Sequence, residues 1–261
     1  MLFFDANAVI GRDLNRHIVM NHEHFTTHEY VECADNAESL IDYMDACGIE
    51  KAVVWCRSMY DLAPDVGNKQ MVQEIKKRPD RLIGSWTILP GITDKEFEAE
   101  TFLKAMRKDG IKCVRAFPAQ NRYLLNEVTM GDQLAAFEEL AIPLYLSIQE
   151  GFEYIFSVLK EFPKLTVVIS DTGCWSSSRY IYPLLHRYEN VYYETGGFQE
   201  VFGYEQACST IGCERLLFGT DFPTNSMGCA KAALLMANIS DDCKEQIASG
   251  NLIRMIEGIR L

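Results

Sequence analysis

The sequence is notable first for what it lacks. No apolar run approaches the roughly 20 residues that cross a bilayer, so neither a membrane span nor a membrane partner is expected. The nine cysteines include no C-x-x-C pair, the nearest approach being Cys208 with Cys213. A disulfide framework or thiolate zinc site is therefore not expected, and reduced, mostly buried thiols are. No G-x-G-x-x-G or P-loop follows any strand-like run. No cluster of cations relieves the net charge of −12. Nucleic acid and anionic membranes need such clusters, so they are excluded as partners, while a small anionic substrate needs only a local arginine or two. There is no linker, low-complexity tract or basic leader, so one domain over residues 1–261 and a cytoplasmic location are the default expectations. A homodimer follows only from base rates.

Apolar β-rich runs recur near residues 2–7, 51–56, 81–89, 111–117, 142–148, 165–170, 190–194 and 215–220. Between them lie helical stripes, such as Ala37, Leu40, Ile41 and Met44, or Ile155, Val158, Leu159 and Phe162. Runs like Leu165-Thr-Val-Val-Ile-Ser170 suit strands buried on both faces of a parallel sheet. Gly48-Ile49 and Gly110-Ile111 supply left-handed helix caps, and Pro79 and Pro163 stop two other helices. Eight alternating units predict an α/β fold of the (β/α)8 TIM-barrel type, with an open doubly wound sheet as the alternative. In a barrel, function belongs to the C-terminal strand ends and the loops after them.

Histidine is scarce and unevenly placed. Of five, His17, His22, His24 and His28 fall in one stretch after the first strand, whereas the strand itself has none. The loop histidines have three readings: replacement metal ligands, donors and acids toward substrate, or a solvated loop with no chemistry. Asp221 and Asp171 end predicted strands, as does Cys56. Arg12, Arg57, Arg122 and Arg179 lie on predicted mouth loops and Arg115 on the fourth strand. Arginine forks bind carboxylates bidentately. The alternative for each is an ion pair with a neighbouring acid. Cys174 has no catalytic signature around it and reads as a packed thiol. Trp175, Tyr60 and Tyr123 either line a pocket or pack under loops.

Several phrases resemble the amidohydrolase-related barrel family of decarboxylases, hydratases and lactone hydrolases. Arg215-Leu-Leu-Phe-Gly-Thr-Asp-Phe-Pro223 looks like its eighth strand, in which the aspartate is a catalytic base or metal ligand. Glu161-Phe-Pro-Lys-Leu-Thr-Val-Val-Ile-Ser-Asp-Thr-Gly173 is similar to the sixth, with Asp171 in place of the usual histidine. Asn190-Val-Tyr-Tyr-Glu-Thr-Gly196 and Gly250-Asn-Leu-Ile-Arg-Met255 resemble the seventh strand and closing helix, and Gly110-Ile-Lys-Cys-Val-Arg-Ala116 the fourth strand. Phe4-Asp-Ala-Asn-Ala-Val9 looks like the opening D-x-H-x-H, but with Asn7 and Val9 in the histidine places, and Ser147 replaces a further histidine. The usual metal site is thus expected to be missing, since zinc prefers nitrogen and sulfur donors.

The resemblance implies a hydrolase acting without metal on a small carboxylated lactone or ester, as relatives that hydrolyse pyrone-dicarboxylate lactones do. Asp221 would be the general base, raised toward neutrality by Asp171. His22 and His24 would polarise the carbonyl, and Asn7, Arg57, Arg115, Arg122, Arg179 and His28 would bind substrate. No cofactor is expected in that reading. A second reading rebuilds a zinc or manganese site from His22, His24, Asp171 and Asp221, for hydrolysis or non-oxidative decarboxylation. A third is a barrel without catalysis that binds ligands.

Overall fold

In the computed structural model, which describes residues 1–11, 33–172, 177–198 and 200–261, eight strands lie parallel in sequence order. They are β1 (Phe4–Ile10), β2 (Lys51–Cys56), β3 (Leu82–Thr87), β4 (Cys113–Ala116), β5 (Leu144–Ser147), β6 (Val167–Ser170), β7 (Val191–Glu194) and β8 (Leu216–Leu217). The ring closes between first and last: Ala6 N donates to Phe218 O at 2.8 Å and Val9 N to Phe222 O at 3.0 Å. The chain is therefore a (β/α)8 barrel, as its alternating runs predict. The last strand is shorter than the predicted run 215–220. Beyond Leu217 the Phe218 N–H donates to Ile247 O, and Thr220 donates from its backbone N and its hydroxyl to the Asp5 carboxylate.

The helices form where the stripes and caps require. Ala37–Cys47 begins at an Asn36 capping box, buries Ala37, Leu40, Ile41 and Met44, and ends at Gly48 in the left-handed region (φ 64°). Phe152–Glu161 buries Ile155, Val158 and Leu159 against the sheet. These faces and the outward residues of the strands make one large apolar cluster.

A second cluster fills the inside of the ring. Phe4, Ala6, Val53, Cys113, Tyr145, Val168 and Leu217 meet there, joined by Leu252 and Met255 of the helix Asn251–Glu257. The closing helix therefore stoppers one end of the barrel with apolar side chains. One pleat further along the same strands the inward positions turn polar: Ser85, Arg115, Ser147, Ser170 and Glu194 are all buried. Among the described residues no helix is long and apolar enough to cross a membrane.

Candidate active site

The polar layer is organised around Asn7. Its Oδ1 accepts a 2.8 Å hydrogen bond from Arg115 Nη2, and its Nδ2 donates to Asp171 Oδ1 at 3.0 Å and Glu194 Oε2 at 3.5 Å. A guanidinium can only donate and a carboxylate only accepts, so this amide has one satisfactory orientation, with NH2 toward the acids. Arg115, 2% exposed, is itself fixed by Ser85 Oγ at 3.1 Å and by the rings of Trp55 and Tyr145, 5.2 and 4.5 Å away. It has no ion-pair partner within 4 Å among the described residues. Burial pulls its pKa down, and the charge of Asp171 is the largest force opposing this.

Three carboxyl groups converge beside Asn7. Asp171 follows β6 and accepts from Asn7 and, through Oδ2, from Ser170 Oγ at 3.1 Å. Asp221 follows β8; its carboxyl hydrogen-bonds that of Asp171, and Asn225 Nδ2 reaches it at 3.4 Å. The turn after it is closed by its backbone carbonyl, which accepts from Thr224 N and Asn225 N. The side chain is thus not spent on capping. Both aspartates hold left-handed backbone, φ 55° and 50°, a conformation that aspartate tolerates better than most residues and that clusters at functional sites.

Glu194 ends β7, fully buried. Its Oε1 accepts from Gly196 N. A Cβ on Gly219 would lie 1.7 Å from that oxygen, and one on Gly196 2.6 Å. Only glycine at both positions leaves room for this carboxyl group.

Crowding acids in a dry layer favours their protonated forms. Burial pushes Asp221 up to about 9, helped by the charges of Asp171 and Glu194. Burial likewise takes Glu194 to about 8, with Asp171 and Asp5 adding repulsion. Asp5 rises only to about 6, because hydrogen bonds from Thr220 and Asn7 offset its burial. Its bonds tie β1 to the end of β8, which is a structural task.

The structure therefore unites Asn7, Arg115, Asp171 and Asp221. Arg57 instead donates to Asp61 Oδ2 at 3.0 Å and lies 4.7 Å from the Tyr60 ring. Arg122 and Arg179 are exposed. Tyr123 packs with its hydroxyl on Ile88 O at 3.2 Å, and burial raises the Cys56 thiol far from a reactive range. His17, His22, His24 and His28, with Arg12, Cys174 and Trp175, lie outside the described residues. Glu194 had no role from sequence reasoning. The available signal was its strand pattern: in Val191-Tyr-Tyr-Glu194 the glutamate shares the inward face with Tyr192 at the strand's C-terminal end.

A family profile described as Amidohydrolase matches residues 27–256, so the chain belongs to the amidohydrolase family. No curated protein matches it. Among solved structures, an uncharacterised TIM-barrel protein from Bordetella bronchiseptica is 22% identical, with TM-score 0.76 and 99% of each chain covered. A 2,6-dihydroxybenzoate decarboxylase complexed with 2,6-dihydroxybenzoate is 15% identical, with TM-score 0.76, over 98% of this chain and 99% of that one. The 5-carboxyvanillate decarboxylase of Novosphingobium aromaticivorans, complexed with manganese and 4-hydroxy-3-methoxy-5-nitrobenzoic acid, is 17% identical, with TM-score 0.75, over 98% and 96%. At these identities the likeness shows the fold.

One of these neighbours holds manganese, so the expectation of a cofactor-free site finds no support there. The described residues do not fit such an ion as they stand. Asn7 turns its NH2, not its oxygen, toward Asp171 and Glu194. Among the described residues no three His, Cys, Asp or Glu side chains are grouped to hold a metal.

Proposed function

We propose that this protein is a hydrolase that opens a small carboxylated lactone or ester with the Asp171–Asp221 pair as its acid and base, without a metal. The observation carrying this is the contact between the two carboxyl groups, where burial and mutual repulsion raise Asp221 to about 9. At neutral pH Asp221 holds a proton, so it serves as the acid. The base is Asp171, whose oxygens accept from Asn7 and Ser170. Pairs whose environments separate their protonation are how one site runs both halves of acid–base chemistry. This reverses the base role that the sequence suggests for Asp221.

In the reaction, Asp171 takes a proton from water as the water oxygen bonds to the ester carbonyl carbon. Asp221 gives its proton to the carbonyl oxygen. Collapse breaks the bond to the ester oxygen, which leaves as an alcohol carrying the proton from Asp171. The carbonyl re-forms as its proton returns to Asp221. The products are a carboxylic acid and a hydroxyl group, joined in one molecule when the substrate is a lactone. Arg115 and Asn7 keep Asp171 in place, and burial, helped by the charge of Asp171, holds the proton on Asp221. Arg122, exposed after β4, is the cation for a substrate carboxylate.

The test is turnover of a panel of carboxylated lactones and esters by chelator-treated protein. Wild-type activity should survive chelation and fall above about pH 9 as Asp221 loses its proton. Asp221→Asn and Asp171→Asn should each lose about 10²-fold or more while melting as folded proteins. Full activity in either variant refutes the assignment.

A second reading is favoured by the manganese in the carboxyvanillate decarboxylase. A divalent cation would be held by His22, His24, Asp171 and Asp221, for decarboxylation of an aromatic acid. Activity that appears only on adding manganese, with carbon dioxide released, replaces the first reading with this one.

A further inference from the structure

Cysteine spacing along the chain predicts no disulfide, yet the fold brings two distant thiols together. Cys213 Sγ and Cys243 Sγ are 2.6 Å apart across 30 residues of sequence. Cys213 lies just before β8, and its carbonyl accepts from Asn251 Nδ2, which also serves Leu216 O. Cys243 lies in the short helix Asp241–Glu245, whose N-cap Ser240 accepts from the Cys243 N–H at 3.2 Å. Both backbones are therefore anchored with their sulfurs facing. A disulfide bond is about 2.05 Å long, so closing the gap asks for a shift of about half an ångström. A third thiol, Cys208, shares a hydrogen bond with Cys243.

We infer that Cys213 and Cys243 form a reversible, oxidisable pair that staples the lead-in of β8 to the C-terminal segment. Cys213 is 5% exposed, whereas Cys243 is half-buried, so a peroxide reaches Cys243 first. Its sulfur attacks the peroxide O–O bond, giving a sulfenic acid and one water. The Cys213 sulfur then displaces the hydroxyl from Cys243, and that hydroxyl leaves with the Cys213 proton as a second water. The two thiols are oxidised by two electrons and one peroxide is reduced. Burial holds the Cys213 thiol up at about 12, which makes the second step slow at neutral pH and faster in mild base. The bridge encloses β8, Asp221 and the helix Met227–Met236. It acts at the strand's N-terminal side, away from the carboxyl groups.

The experiment treats the full chain with a few equivalents of hydrogen peroxide at pH 8, followed by alkylation and a non-reducing tryptic map. The expected product joins the peptide ending at Arg215 to the one ending at Lys244, in wild type and in Cys208→Ser alike. It should vanish on reduction with dithiothreitol and in Cys243→Ser. The oxidised protein should melt roughly 5 °C above the reduced one. Three results overturn the proposal: no joined peptide in Cys208→Ser, oxidation of Cys243 that stops at sulfinic acid, or a bridge that leaves the melting temperature unchanged or lower.

Discussion

The inside of the barrel has two storeys that differ by a single pleat. Cys113, Val168 and Tyr192 belong to or pack against the apolar lower cluster, which Leu252 and Met255 close. Two residues further along the same strands stand Arg115, Ser170 and Glu194, all buried. The lower storey excludes water and gains free energy from apolar contact. The upper one gathers groups whose charged forms lose solvation on burial, which is why Asp221 and Glu194 rise to about 9 and about 8. Stability and chemistry are thus centred about 7 Å of strand apart, and the lower storey can be perturbed with little effect on the upper.

The largest expected effect tests the lower storey. Leu217→Ala leaves a cavity in fully buried packing and should destabilise by about 3 kcal/mol in urea unfolding. Activity per folded molecule should stay within twofold. A collapse of activity at constant folded fraction would show that the two storeys are not separable.

A smaller loss is expected from Gly219→Ala, whose new Cβ would meet Glu194 Oε1 at 1.7 Å. Overpacking of this kind should remove about 2 kcal/mol. Because the carboxyl group must move, turnover should also fall at least tenfold under the proposed reading. Unchanged turnover would separate Glu194 from the chemistry.

The smallest effect is on the pH dependence of stability. Asp221 and Glu194 have pKa values higher in the folded chain than in the unfolded one. Between about pH 4 and pH 9 the folded state therefore binds more protons, and stability falls as pH rises. The slope from half-buried Asp221, softened by solvent, should stay below about 1 kcal/mol per pH unit. Urea midpoints from pH 5 to 9 should decline in wild type and decline less steeply in Asp221→Asn, where Glu194 alone remains. A midpoint that rises with pH would contradict the crowded-acid description.

Much of this architecture was legible in the chain itself. Continuous runs such as Leu165–Ser170, glycine caps at Gly48 and Gly110, and helix stops at Pro79 and Pro163 are local signals, and local signals specify a βα repeat. Asp171, Asp221, Asn7 and Arg115 could be chosen because strand ends are recognisable and the ends of barrel strands converge. What was hidden depends on partners remote in sequence. The last strand stops at Leu217, where the next N–H turns to Ile247 O, and Asp5, more than two hundred residues away, captures Thr220. The amide orientation of Asn7 is imposed by Arg115, and the Cys213–Cys243 pair exists only once the last helices fold back on the barrel. Glu194 sat in the seventh-strand phrase with no role assigned to it there, and an acid at a strand end is usually solvated. Its burial depends on two glycines whose purpose is visible only in three dimensions.

Those glycines have a consequence for how this lineage can vary. With an oxygen of residue 194 occupying the space of a missing methyl at 219 and crowding that at 196, the three sites constrain one another. A longer residue at 219 requires a shorter one at 194, and shortening 194 first opens a hole that invites refilling. Related sequences should therefore change these positions in concert, and a homologue carrying alanine at 219 should no longer have glutamate at 194.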